Sequence, residues 1–248
     1  MMLKDKVCIV TGATSGMGKA IAEALSSEGA KLVLSGQNRE RGQSLEKQLD
    51  NSVFLAGDVT DPIYNQNLVQ LAMETFGQLD ILSLNAGILG LGNVEELAID
   101  SWHKTIDTNL SSIFYLCKYG LPYLQKGSNS NILINASIAA FKSFPNHPAY
   151  CASKAGAVAL MKQMAMEYAP KIRVNAICPG PVDTPLLWES AKAFENPEKA
   201  VANAERATLL KRLGTPEDIA KLALFMVSDD SSWITGTTIT IDGGIINT

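Results

Sequence analysis

This 248-residue chain has little with which to hold a metal or staple itself. There are two histidines and four cysteines (Cys8, Cys117, Cys151 and Cys178), and no cysteine pair has Cys-x-x-Cys spacing. No metal site is therefore expected, and free thiols fit an intracellular setting. No Lys/Arg-rich run occurs, and 21 basic against 25 acidic residues leave a formal net charge of −4. A nucleic-acid partner is not expected of so acidic a surface. No run reaches the roughly 18 apolar residues of a membrane helix. No apolar signal region precedes Lys4-Asp5-Lys6, so a soluble cytoplasmic protein without a membrane partner is expected. Gly-x-Ser-x-Gly is also missing around Ser137, which disfavours a hydrolase triad.

What is present is a globular composition, 46% hydrophobic and 19% charged. The length suits one α/β domain over residues 1–248. Short apolar runs recur and read as strands at Val7–Val10, which is rich in β-branched residues, and at Lys31–Leu34, Val53–Ala56, Ile81–Leu84, Asn131–Asn135, Arg173–Ile177 and the alternating Thr237–Ile241. Helical patterns separate them at Lys19–Leu25, Arg39–Leu49, Leu68–Phe76, Trp102–Leu124, Ala149–Tyr168 and Pro216–Met226. That alternation predicts a Rossmann-type, doubly wound, seven-stranded and mainly parallel sheet with helices on both faces. Leu186–Arg212 carries charges and no β pattern, and reads as a lid over a site at the strand ends.

Thr11-Gly12-Ala13-Thr14-Ser15-Gly16-Met17-Gly18 joins the first strand to the first helix. Glycines there allow a tight turn and let a diphosphate approach the backbone, at the positive end of the helix. A plain turn is the rival reading, but the place between strand and helix favours nucleotide binding. The second strand ends in Ser35-Gly36-Gln37-Asn38-Arg39, with no acid to hold a ribose 2′-hydroxyl. Arg39 could meet a 2′-phosphate instead, or stand solvated in the next helix. NADP(H) is thus favoured over NAD(H).

Tyr150 and Lys154 are four apart in a helical pattern, on one face and one turn apart. An ammonium near a phenol favours the phenolate, so the tyrosine pKa is expected to fall from near 10 toward a usable range. His147 nearby reads as a loop surface residue more readily than as a substrate contact, and Cys151 as packing.

The glycine loop, Asn85-Ala86-Gly87, Asn109, Ser137, Tyr150-x3-Lys154, Pro179-Gly180, Thr235-Gly236 and Asp242-Gly243-Gly244 stand in one order. Together they resemble the short-chain dehydrogenase/reductase family over essentially the whole chain, including its 3-oxoacyl-carrier-protein-reductase-like members. The resemblance implies hydride transfer between NAD(P)(H) and a carbonyl/secondary alcohol pair. Tyr150 would then give or take the proton, Ser137 would hydrogen-bond the reacting oxygen, Lys154 would hold the nicotinamide ribose, and Asn109 would position a relay water. It further implies that Gly12, Ser15, Gly16, Met17 and Gly18 surround the diphosphate, and that Asp58 and Val59 border the adenine. Asn85, Ala86 and Gly87 would approach the adenine-side ribose, with Pro179, Gly180, Val182 and Thr184 at the nicotinamide end. Gln37 and Ser15 depart from the basic residues that NADP users often carry there, and Leu84 replaces a frequent Asn.

Two other functions compete: reduction of 3-oxoacyl groups on a carrier protein, and a catalytically inactive nucleotide-binding scaffold or sensor. The first needs a basic docking patch, and Tyr115–Gly127 offers only Lys118 and Lys126. Phe141, Phe144, Leu186, Leu187 and Trp188 suggest an apolar wall, hence a small ring or chain ketone as substrate. The family commonly forms homotetramers through two long helices, which the patterns Trp102–Leu124 and Ala149–Tyr168 could supply.

Overall fold

A computed structural model of the chain describes residues 1–247. Seven strands, β1 (Val7–Val10), β2 (Lys31–Gly36), β3 (Ser52–Ala56), β4 (Ile81–Leu84), β5 (Ser130–Asn135), β6 (Ile172–Pro179) and β7 (Thr238–Ile241), form one sheet in the order β3-β2-β1-β4-β5-β6-β7. Every strand pairing in it is parallel.

The helices are α1 (Gly16–Ser27), α2 (Arg39–Gln48), α3 (Pro62–Phe76), α4 (Ile99–Ile106), α5 (Ser112–Leu124), α6 (Pro148–Tyr168), α7 (Pro185–Ala191), α8 (Pro197–Ala207) and α9 (Pro216–Val227). Successive strand residues serve opposite cores, because side chains alternate across a strand. Ile9, Leu82, Ile132 and Val174 pack with Leu68, Leu116 and Met161 of α3, α5 and α6. Val10, Ile81, Leu133 and Ile177 pack with Ile21, Leu25, Ile219 and Met226 of α1 and α9. Both faces of the sheet are covered, so apolar side chains of its central strands point to both sides.

Three elements differ from the sequence reading. Helix α3 begins at Pro62, six residues before Leu68, because Asp61 caps it by accepting from the Ile63 N–H at 2.8 Å. Proline suits that first turn, and Ile63 contributes nothing to the apolar stripe because it is exposed. The expected helix Trp102–Leu124 is broken by a π-helical segment, Asp107–Ser111. The lid segment folds as α7 and α8, capped by Thr184 and Asn196. Among the described residues, no helix is long and apolar enough to cross a membrane.

The order in which strands are added reverses at β1 and β4: β2 and β3 extend the sheet on one side, β5, β6 and β7 on the other. In open parallel sheets a crevice forms at that reversal, outside the carboxyl ends of the strands. The glycine loop after β1 and the Asn85-Ala86-Gly87 turn after β4 both lie there.

Candidate active site

The crevice holds a groove lined by Gly12, Ser15, Gly16, Gly18, Gln37, Val59, Asn85, Ala86 and Gly87. Its floor is backbone brought close. Gly12 has φ +65, and a Cβ on Gly18 would stand 2.3 Å from the Gly12 carbonyl oxygen. Ser15, the residue ahead of α1, makes no side-chain capping bond, so the first N–H groups of α1 have no side-chain partner from it. Free N–H groups at the positive end of a helix suit an anion. Thr11 ties the loops together: its hydroxyl oxygen accepts from the Asn85 N–H at 3.0 Å and the Ala86 N–H at 3.3 Å. The glycine cradle and the free helix end fit a dinucleotide diphosphate.

A second, apolar cavity of about 200 Å³ adjoins the groove. Met17, Thr184 and Leu186 line both. Ser137 and Tyr150 line the apolar cavity, with Pro179, Gly180 and Val182. Tyr150 stands in the first turn of α6, and Ser137 two residues beyond the end of β5, where its hydroxyl accepts from the Ala139 N–H at 3.1 Å. Ser137 lies close enough to Tyr150 to pull the pKa of its phenol downward.

Lys154, one turn along α6, is buried and donates from Nζ to the Asn135 carbonyl at 2.8 Å. The same Nζ is 5.6 Å from the centre of the Tyr150 ring. Burial lowers the Lys154 pKa to about 8. Burial also pushes Tyr150 up to about 12, against the opposing pull of Ser137. This reverses the expected fall: desolvation of the phenolate outweighs the pull of Ser137.

Asn109 lies in the π segment and is buried. Its Oδ1 accepts from the Ile88 N–H at 2.8 Å, and its Nδ2 donates to the Ile88 carbonyl at 2.8 Å and to Ser153 Oγ at 2.9 Å. A Cβ on Gly87 would lie 3.4 Å from Asn109 Oδ1 and 3.6 Å from Lys154 Nζ. The amide thus fixes the turn after β4 against α6, with Lys154 beside it.

Other expected residues fall differently. Arg39 opens α2 as an exposed residue and does not line the groove. Asp58 turns its carboxylate to the Thr60 N–H and hydroxyl, both at 2.9 Å, and does not line it either. His147 is buried rather than on the surface, and lines the apolar cavity with its ring centre 6.3 Å from that of Tyr150. Thr14, Gly36, Asn38, Gly57, Ile88 and Thr108 line the groove without having been singled out. Gly36 and Gly57, directly after the apolar parts of β2 and β3, carry the one sequence signal that could have found them. Cys8, Cys117 and Cys178 are buried and unpaired, and burial raises each thiol above its ordinary range. Among the described residues, no group of three or more His, Cys, Asp or Glu gathers to hold a metal.

Residues 12–246 match a family model described as enoyl-(acyl carrier protein) reductase. A cyclohexanol dehydrogenase from an Acinetobacter species is 37% identical, over 96% of this chain and 94% of its own. A 3-oxoacyl-acyl-carrier-protein reductase from Thermotoga maritima is 35% identical, over 99% of this chain and all of its own. Among solved structures, the ligand-free aldohexose dehydrogenase of Thermoplasma acidophilum superposes with a TM-score of 0.92 at 32% identity, covering 99% of this chain and 96% of its own. A crevice of this kind, matched over nearly the full length by carbonyl and alcohol enzymes, settles the lineage: the chain belongs to the short-chain dehydrogenase/reductase family and is an NAD(P)-dependent oxidoreductase of carbonyl/alcohol pairs.

Proposed function

We propose that Tyr150 is the acid–base group of this oxidoreductase and that it acts on a small, largely apolar ketone or secondary alcohol. The observation that carries the reading is the junction of the two cavities. A backbone-lined groove fit for a dinucleotide opens at Met17, Thr184 and Leu186 into an apolar chamber holding Ser137 and Tyr150. The nicotinamide, when bound, supplies or takes the hydride. Ser137 holds the reacting oxygen. With its pKa near 12, Tyr150 is a neutral phenol at physiological pH, so in reduction it donates its proton to the carbonyl oxygen. The phenolate left behind lies near Lys154, whose ammonium stabilises it. Asn109 keeps the turn after β4 in place beside Lys154. Oxidation runs the same proton backwards.

NADP(H) is preferred over NAD(H) in this reading. Its support is the lack of a carboxylate among the groove residues at the end of β2, where Gly36, Gln37 and Asn38 stand. Arg39 no longer supports it. Residues 186–212 act as the lid: Leu187, Ala191 and Phe194, together with Val201 of α8, wall the chamber. Exposed Phe114 on α5 and Met166 on α6 support a homotetramer joined through these helices. Three buried, unpaired thiols support a cytoplasmic setting.

Tyr150→Phe tests the assignment. Turnover is expected to fall by about two orders of magnitude or more, with the NADPH affinity kept within a few-fold. Near-normal turnover sinks it. Fluorescence titration with NADH and NADPH side by side tests the cofactor preference.

Reduction of carrier-bound 3-oxoacyl groups is the second reading, favoured by the Thermotoga maritima relative. Against it, Lys118 and Lys126, the two cations available on that surface, rest over the rings of Phe114 and Tyr123 at 6.0 and 5.1 Å. Carrier-bound substrate turned over faster than the free ketone, with a steep loss on adding salt, would establish it.

A further inference from the structure

Beyond Ser137 and Tyr150, the chamber has three polar side chains on its wall: Thr184, His147 and Ser190. The Thr184 hydroxyl is occupied, donating to the Val182 carbonyl at 3.2 Å and accepting from the Leu187 N–H at 3.4 Å. His147 and Ser190 are joined, Nε2 to Oγ, at 2.8 Å. Nδ1 of the same ring lies 2.6 Å from the Pro145 carbonyl oxygen.

These contacts fix the protons. A carbonyl oxygen can only accept, so Nδ1 carries the hydrogen. Burial lowers the His147 pKa, which favours the neutral ring with its hydrogen on Nδ1. Nε2 is then an acceptor, and the one proton of Ser190 is committed to it. What Ser190 has left are lone pairs. A substrate hydroxyl meeting Oγ finds an acceptor, and a substrate keto oxygen finds no donor.

The placement is held firmly. Asn146 Nδ2 donates to the Ala193 carbonyl at 3.2 Å, and the Gly92 N–H donates to the Asn146 carbonyl at 3.1 Å. The Trp188 indole N–H donates to Asp183 at 2.9 Å. Helix α7 is thereby pinned to the loop ahead of α6 on one side and to the strand-end loop on the other.

We propose that Ser190, with its proton held by His147, is a specificity-determining acceptor for a second hydroxyl group on the substrate. The favoured substrates are therefore ring or chain alcohols and ketones that carry one further hydroxyl. The proposal rests on the reading that Tyr150 and Ser137 bind the reacting oxygen in the same chamber.

The test is kcat/KM of the purified enzyme with its cofactor for cyclohexanol and for the cyclohexanediols, each diol halved for its two reactive hydroxyls. A neutral hydrogen bond predicts a preference of about three- to tenfold for at least one diol. Ser190→Ala is expected to bring that ratio to about one, and Ser190→Thr to restore it. His147→Leu frees the Ser190 proton, so it should raise the rate with cyclohexanedione relative to cyclohexanone. If no diol is preferred, or Ser190→Ala changes cyclohexanol and the diols by one common factor, Ser190 is only a clasp and the proposal is overturned. In either case the Tyr150 reading survives as long as cyclohexanol or cyclohexanone is turned over. Absence of turnover with every alcohol and ketone tried overturns both.

Discussion

Gly18→Ala separates the glycine loop as a cofactor cradle from the same loop as an ordinary turn. A Cβ at Gly18 would meet the Gly12 carbonyl oxygen at 2.3 Å and its carbon at 2.8 Å. A carbon–oxygen contact tolerates roughly 3.3 Å, so backbone must move by about 1 Å and no flexible side chain can absorb the shift. Overpacking of this kind costs about 1–3 kcal/mol, or a Tm loss of roughly 2–12 °C for a chain of this size. The segment that moves is the one whose N–H groups face the groove. Loss of one charge-assisted hydrogen bond to a diphosphate, worth about 1.5–3 kcal/mol, raises the Kd for NADPH about ten- to hundredfold. Fluorescence titration reads the affinity and thermal denaturation the stability. Gly77→Ala is the control: Gly77 closes α3 at φ +78 with open space around it, so only the left-handed backbone is penalised, by about 1–2 kcal/mol. That variant should bind NADPH like the parent. Parental affinity in Gly18→Ala would refute the cradle, whatever happened to its Tm.

Two further outcomes follow from charge and capping. Burial lowers the folded-state pKa of Lys154 from 10.5 to about 8, so between those pH values the unfolded chain holds a proton that the folded chain has released. This group therefore makes the fold more stable as pH rises through that window. Lys154→Met should lose about 3 kcal/mol relative to the parent between pH 7 and pH 10.5. Urea titration at several pH values checks this, and a difference that stays flat refutes it. At the start of α9, Thr215 accepts from the Asp218 N–H and Asp218 accepts in return from the Thr215 N–H, at 3.3 and 2.9 Å. Thr215→Ala should lower stability by about 1 kcal/mol, a Tm shift of roughly 2–4 °C, with turnover per folded enzyme unchanged. A cap that contributes nothing would leave the Tm where it was.

The sheet was legible because each strand is centred on a short run of mainly apolar or β-branched residues, and such runs alternating with helical patterns carry their own signal. Tyr150 and Lys154 were legible because a spacing of four on a helix means one face. The π segment was not, since an inserted turn leaves the apolar pattern of Trp102–Leu124 nearly intact. What holds Asn109 there is the Ile88 backbone, 21 residues away. His147 looked like a loop residue because nothing local buries it, and its partner Ser190 comes 43 residues later. Arg39 shows the converse: its place in the chain was read correctly, but the groove residues at that edge are Gly36, Gln37 and Asn38.

The Tyr150 pKa shows most plainly how a correct local pattern can mislead. The Lys154 ammonium, 5.6 Å from the centre of the Tyr150 ring, would by simple attraction favour the phenolate. Sequence spacing alone registers that attraction. Desolvation comes from the whole chamber, whose walls are drawn from the segment after β5, the end of β6, α7, α8 and Ile245, and it carries the phenol to about 12 instead. Lys154, at about 8, still holds most of its charge at neutral pH. A neutral phenol beside a retained cation can give up a proton and have the charge that remains stabilised, which is what the role proposed for Tyr150 requires.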